Sequence, residues 1–132
     1  MSLADVSSAN IVGNSTLKVS KSYSILAINF ENVSGGELAI QDAFPVATGM
    51  TAGNAQTAAD QIQVMTDDGN YDIYYLSNGY NGKSQTPATE NKWVKTTAKT
   101  VATEDSFPAG RGAWFVSKTG SATIEFTSPI AK

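Results

Sequence analysis

A chain of 132 residues has room for one hydrophobic core, since a domain of ordinary proportions uses roughly 100–150 residues. Only 16% of the residues are charged and the net charge is −3, so the chain lacks the clustered Lys and Arg that displace counterions from nucleic acid or seek an anionic membrane surface. Cys and His are absent, which excludes thiol nucleophiles, imidazole bases, Ser-His-Asp triads, the common zinc sites and haem ligation through imidazole or thiolate.

Neutral groups supply the polarity. Ser, Thr, Asn, Gln and Gly stand where many proteins carry Lys and Glu, and Thr suits a pleated strand better than a helix interior. No run approaches the roughly 20 apolar residues of a membrane-spanning helix. The opening Met1-Ser2-Leu3 lacks the basic and hydrophobic regions of a signal peptide and reads as an added start joined to a mature chain beginning near Ala4. Absence of Cys fits cytoplasm and periplasm equally.

From Ile11 onward short apolar runs recur between turn signals, beginning with Ile11-Val12, Leu17 and Val19. Tyr23 to Phe30 carries apolar side chains in both phases, Tyr23, Ile25 and Ala27 in one and Leu26, Ile28 and Phe30 in the other, which predicts a central strand covered on both faces. Val33 to Glu37 reads as a turn into a short strand at Leu38-Ala39-Ile40. Residues 42–60 contain Pro45, Gly49 and Gly53 with little periodicity, which predicts a long loop anchored by Phe44, Val46 and Met50 and carrying at most a helical turn between Asn54 and Asp60.

The clearest unit is a hairpin. Ala59-Asp60-Gln61-Ile62-Gln63-Val64-Met65-Thr66 and Tyr71-Asp72-Ile73-Tyr74-Tyr75-Leu76 alternate on either side of Asp67-Asp68-Gly69-Asn70, whose Asp-Gly pair tolerates the positive φ of a tight turn. The expected facing puts Tyr71, Ile73 and Tyr75 inward and Tyr74 outward with Asp72. Residues 77–91 form a second loop with Asn78-Gly79, Asn81-Gly82 and Thr86-Pro87, ahead of a strand around Lys92-Trp93-Val94-Lys95-Thr96. Phe107 to Gly112 is a turn into Ala113 to Lys118, and Thr119-Gly120 is expected to close a last hairpin with Ser121 to Thr127, where Ala122, Ile124 and Phe126 alternate with polar residues. About eight short strands without a long amphipathic helix predict a single all-β domain over residues 1–132, an antiparallel sandwich or partly open barrel.

Three constellations are candidate sites. Asp67, Asp68, Asn70 and Asp72 place carboxylates and an amide oxygen within six positions, an oxygen-rich turn of the kind that takes calcium, although the spaced ligands and flanking helices of an EF-hand are missing. Aromatic residues concentrate at Tyr71, Tyr74, Tyr75, Tyr80, Trp93, Trp114 and Phe115, and exposed rings on a β surface can stack on the apolar faces of sugars; facing puts Tyr74 outward, and Tyr74, Tyr80 and Trp93 are the ligand-binding candidates where their rings are exposed. Paired carboxylates for glycoside hydrolysis find no specific spacing among Glu31, Glu37, Asp42, Asp60, Glu90, Glu104, Asp105 and Glu125. Gly110-Arg111-Gly112 lacks the pattern of a phosphate-binding loop.

Taken together, Asp60-Gln61-Ile62-Gln63-Val64, Gly69-Asn70-Tyr71-Asp72-Ile73-Tyr74-Tyr75, Asn91-Lys92-Trp93-Val94 and Phe107-Pro108-Ala109-Gly110-Arg111-Gly112-Ala113-Trp114-Phe115-Val116 resemble, in order and content, exported β-domain proteins of environmental Gram-negative bacteria of the verrucomicrobial kind. In those chains an opening like Asn10-Ile11-Val12-Gly13 follows the signal peptide. The resemblance implies export and a β fold and brings no catalytic residues with it. The sequence therefore points to a non-enzymatic structural, surface or adhesive domain without a cofactor, secreted, periplasmic or held at the cell surface. Its expected partner is another copy or another surface protein paired through edge strands, with the terminal segment Asp5 to Val19 as the candidate for exchange. The alternative is a carbohydrate-binding module using exposed rings.

Overall fold

A computed structural model describes residues 14–19, 23–27, 37–46, 49–80, 84–98, 100–101, 106–107 and 112–127. Their strands are β1 (Asn14–Val19), β2 (Tyr23–Ala27), β3 (Leu38–Ala39), β4 (Gln61–Met65), β5 (Tyr71–Leu76), β6 (Trp93–Lys95), β7 (Ser106–Phe107), β8 (Gly112–Val116) and β9 (Ala122–Thr127), joined by a short helix α1 (Ile40–Ala43) and 3-10 turns at Gln56–Ala58 and Pro87–Thr89. The expected all-β class is the observed one. A five-stranded antiparallel sheet runs in the order β2-β8-β4-β5-β6, and two antiparallel ladders, β1-β9 and β3-β7, accompany it. The layering is sandwich-like, and no closed barrel forms among the described residues.

Alternation dictates which side chains enter the core. In β4, Ile62 and Val64 are buried while Gln61, Gln63 and Met65 lie on the other face. Directly paired residues share a face, so Ile62 meets Tyr74 on β5 and Phe115 on β8. This inner face, with Leu76 and Trp93, packs against Leu38, Ile40, Phe44, Phe107 and Ile124 from the other layer. Phe44 and Phe107 meet edge to face with ring centroids 5.0 Å apart, the arrangement favoured by the ring quadrupoles. The Trp93 indole N–H donates to the Phe44 carbonyl, so its polar atom is satisfied at full burial.

Several expectations are corrected. β2 is not central: it is the outermost strand on its side of the five-stranded sheet, and Tyr23 and Ile25 are exposed. The facing of β5 is inverted, because Tyr74 shares the core face with Ile62 while Tyr71 opposes Met65 on the outer face. The last hairpin does not close. β9 pairs with β1 and β8 with β2 and β4, so the chain changes layers between Val116 and Ala122. The segment expected as a strand through Ile40 turns helical there, and the 42–60 loop is anchored by Phe44 and Met50 but not by exposed Val46. The Val33–Gly36 turn, Phe30, Asn81-Gly82, the turn at residues 108–111 and residues 5–13 of the exchange segment lie outside the described residues, whereas Asn14–Val19 pairs within its own chain.

The far edge of the sheet is closed from within. The Gln41 side chain, carried on α1, donates to the Trp93 carbonyl at 2.7 Å and accepts from the Trp93 N–H at 2.9 Å. An amide thus imitates one residue of a neighbouring strand and blunts β6 as a pairing template. The loop over residues 49–60 lies along the end of β5, with the Gly53 N–H donating to Leu76 O at 2.9 Å and the Leu76 N–H donating to Asp60 O at 3.0 Å. It carries Ala59 onto Tyr75 and Val94, forming a second, smaller apolar cluster on the outer face. That face is therefore covered at the β5-β6 end and open toward β2.

Candidate functional site

On the open part of the outer face the register sets out a diagonal of side chains across four strands. Tyr23 on β2 opposes Val116, two residues from Trp114 on β8; Trp114 opposes Gln63 on β4; and Tyr71 on β5 opposes Met65, two residues from Gln63. All three rings reach solvent, Tyr23 with 62%, Trp114 with 37% and Tyr71 with 40% of its surface exposed. Tyr23, Trp114, Gln63 and Tyr71 line one shallow depression of about 270 Å³, and an adjoining one of about 190 Å³ extends over Ile25 and Met65.

The polar atoms in this patch are ordered by a short relay. Gln61 Nε2 donates to the Gln56 carbonyl at 2.7 Å, and Gln63 Nε2 donates to Gln61 Oε1 at 3.0 Å. The Gln63 amide is thereby fixed at its nitrogen, and among the described residues nothing donates to its Oε1. Rings that offer apolar faces beside one oriented acceptor form a surface for a ligand that is apolar in face and hydroxylated at its edge.

Comparison with family models, with curated proteins and with solved structures finds no match. The site therefore rests on its own geometry.

The residues selected from sequence fall elsewhere. Tyr74 and Trp93 are core side chains, 3% and 0% exposed, and are corrected as ligand-binding candidates. Tyr74 packs under the Lys95 ammonium, which sits 5.8 Å from its ring centroid. Tyr80 is exposed, its hydroxyl accepting from Gln85 Nε2 at 2.9 Å, but it belongs to the β5-β6 loop and lines neither depression. Tyr71 and Trp114 belong to the aromatic concentration seen in the sequence; Tyr23, Ile25 and Gln63 do not.

The acidic hairpin turn organises itself rather than a metal. The Thr66 hydroxyl and the Asn70 side-chain amide both donate to the Asp68 carboxylate, the latter at 2.9 Å, and the Thr66 N–H donates to Asn70 O at 2.8 Å. The Thr66 hydroxyl, then the Asn70 amide, hold the Asp68 carboxyl below the ordinary carboxylate range. Asp72 points away from Asp68 in function: it forms an ion pair with Lys95 at 3.1 Å. Among the described residues no three Asp, Glu, His or Cys side chains gather in a way that could hold a metal ion, so Asp67, Asp68, Asn70 and Asp72 are not brought together as a calcium set. No helix among the described residues is long and apolar enough to cross a membrane.

Proposed function

We propose that this protein is an exported, non-enzymatic adhesive domain that holds a saccharide on the open half of its outer sheet face. The observation that carries the reading is the set of three solvent-facing rings, Tyr23, Trp114 and Tyr71, arranged around one depression with Gln63 among them. A sheet that needed only to fold would not gain by presenting three aromatic rings to water, since each ring, between 37% and 62% exposed, forgoes part of a burial worth roughly 1.5–3 kcal/mol when complete. Sugars answer this surface because their C–H faces stack on rings while their hydroxyls reach an amide. The non-enzymatic part is supported by a sequence without Cys or His. The placement of three of the described carboxylates supports it too: Asp60 is fully buried, Asp68 is held within its turn and Asp72 is paired with Lys95. Export rests on the resemblance of the strand and turn motifs.

Of the two tryptophans, Trp93 is sealed in the core and Trp114 stands in the depression, so a ligand on this face changes Trp114 emission while Trp93 supplies a constant background. Titration with a panel of soluble glycans is expected to give a saturable change that is weakened roughly tenfold in Tyr71→Ala, the equivalent of ~1.4 kcal/mol, and calorimetry, which does not depend on the fluorophore, is expected to show binding lost in Trp114→Ala. Both variants are expected to melt within a few degrees of the parent, because neither side chain belongs to the main core. A parent protein that leaves every glycan in solution removes the proposal.

A further inference from the structure

The chemistry of the same face narrows the ligand. We infer that it takes a neutral, extended polysaccharide chain built of pyranoses with equatorial hydroxyls, laid across the strands from Tyr23 to Tyr71, with Gln63 Oε1 accepting from a sugar hydroxyl; this rests on the saccharide reading above.

Three features of the face carry it. The first is charge. By register the outer face comprises side chains from β2, β8, β4, β5 and β6, and every described residue on it is apolar or neutral, from Tyr23 and Ile25 through Trp114 and Gln63 to Tyr71 and Val94. Lys95 lies in the opposite phase and is engaged with Asp72. A uronate carboxylate brought down onto these rings would lose water without gaining a cation from any strand residue described on this face, a desolvation that those residues do not repay.

The second is length. One inter-strand step of about 4.8 Å and a two-residue rise of about 6.8 Å separate Tyr23 from Trp114 by about 8 Å at Cα, and two such steps with the same rise put Tyr71 about 12 Å beyond. The diagonal spans about 20 Å, the reach of about four pyranose rings in an extended chain and not of a single sugar. Stacking at separated points along this line suits rings that offer C–H on whichever face turns toward the sheet, which is the property of pyranoses whose hydroxyls are all equatorial.

The third is the amide. Gln63 is held from below through Gln61 to the Gln56 carbonyl, so its oxygen, to which no described residue donates, is oriented before any ligand arrives. Pre-orientation lowers the entropic cost of the contact, and an acceptor selects hydroxyl donors over carboxylates.

Calorimetry and Trp114 emission against cello- and xylo-oligosaccharides of increasing length, with oligogalacturonates of matching length, test this directly. The expected result is affinity that climbs with length and levels off near about four units, no binding of oligogalacturonates, and a loss of roughly five- to tenfold in Gln63→Leu with its melting temperature preserved. Binding of oligogalacturonates in preference to the neutral series overturns this inference while the saccharide reading stands. Silence toward both series and toward the wider glycan panel overturns both. Full affinity for a monosaccharide, or unchanged affinity in Gln63→Leu, overturns the lengthwise placement or the role of the amide respectively.

Discussion

Replacing Asp60 with Ala is expected to cost about 3–5 kcal/mol of folding stability, and the figure follows from what its carboxylate holds. Asp60 is fully buried. Its Oδ2 accepts the Thr51 N–H at 2.9 Å and its Oδ1 accepts the Lys118 N–H at 2.6 Å, so a single side chain ties the 49–60 loop to the crossing between β8 and β9. Its own N–H donates to Thr51 O at 2.8 Å, doubling the first of these ties. Hydrogen bonds to a charged group contribute roughly 1.5–3 kcal/mol each, and removing the acceptor leaves two backbone donors stranded, a loss that water entering the gap offsets in part. Asp60→Asn keeps one acceptor oxygen but turns an NH2 group toward the other backbone N–H, and is expected to lose about 2–3 kcal/mol for that donor-donor conflict. Urea unfolding followed by far-UV circular dichroism reads both, with the midpoint shifted and the slope unchanged. A loss under about 1 kcal/mol in Asp60→Ala at constant slope would refute the assignment of this carboxylate as the tie between the two segments.

Other substitutions probe separate parts of the argument. A Cβ placed on Gly53 would stand 2.6 Å from the Ala58 carbonyl oxygen, so Gly53→Ala is expected to destabilise by about 1–3 kcal/mol in the same urea experiment. Gln41→Leu strips the Trp93 N–H and carbonyl of their partners; stability is expected to fall by about 1–3 kcal/mol, and light scattering is expected to show association through the uncovered β6 edge. The lowered Asp68 pKa makes its contribution to the hairpin turn fully present above the unfolded value and lost as pH falls through the folded one. Thr66→Val removes the largest cause of that lowering, so an NMR titration of the Asp68 carboxyl is expected to move upward toward the ordinary value.

The β4-β5 hairpin was legible because two independent signals agree there, an Asp-Gly turn with Gly69 at φ 84° and alternation on both sides of it. Which way β5 faces was not, for a physical reason. Tyr71, Ile73 and Tyr75 form one apolar phase, and Tyr74 with Leu76 forms another; the sheet is covered on both sides at this end, by the main core beneath and by Ala59 above Tyr75. The polar residue that pointed the phase outward, Asp72, lies at the rim of the inner face, where Lys95 neutralises it. Sequence reasoning consequently put Tyr74 on the surface. In β8 the neighbours Trp114 and Phe115 are both aromatic, and small Ala113 in the phase of Phe115 was the available hint that Phe115 packs inward and Trp114 outward. Nothing local marks Tyr23 and Ile25 as exposed, because they lie on the outer face, and how far that face is covered is decided by the distant 49–60 loop, whose Ala59 reaches Tyr75 and Val94 at the other end of the sheet.

The division of the outer face has one structural cause, and it connects the fold to the proposed site. The 49–60 loop covers Tyr75 and Val94 because Asp60 holds it there from both ends, and the same loop supplies the Gln56 carbonyl on which the Gln61-Gln63 relay hangs. The buried half and the open half are thus set by a single segment. Loosening it would both uncover an apolar cluster and release the amide that stands between the rings. Ligand binding and stability are for this reason expected to fall together when Asp60 is changed, yet to separate when Trp114 is changed, since Trp114 belongs to the open half and to neither apolar cluster. A surface that were only an unfilled remnant of packing would show no such dependence on a distant carboxylate.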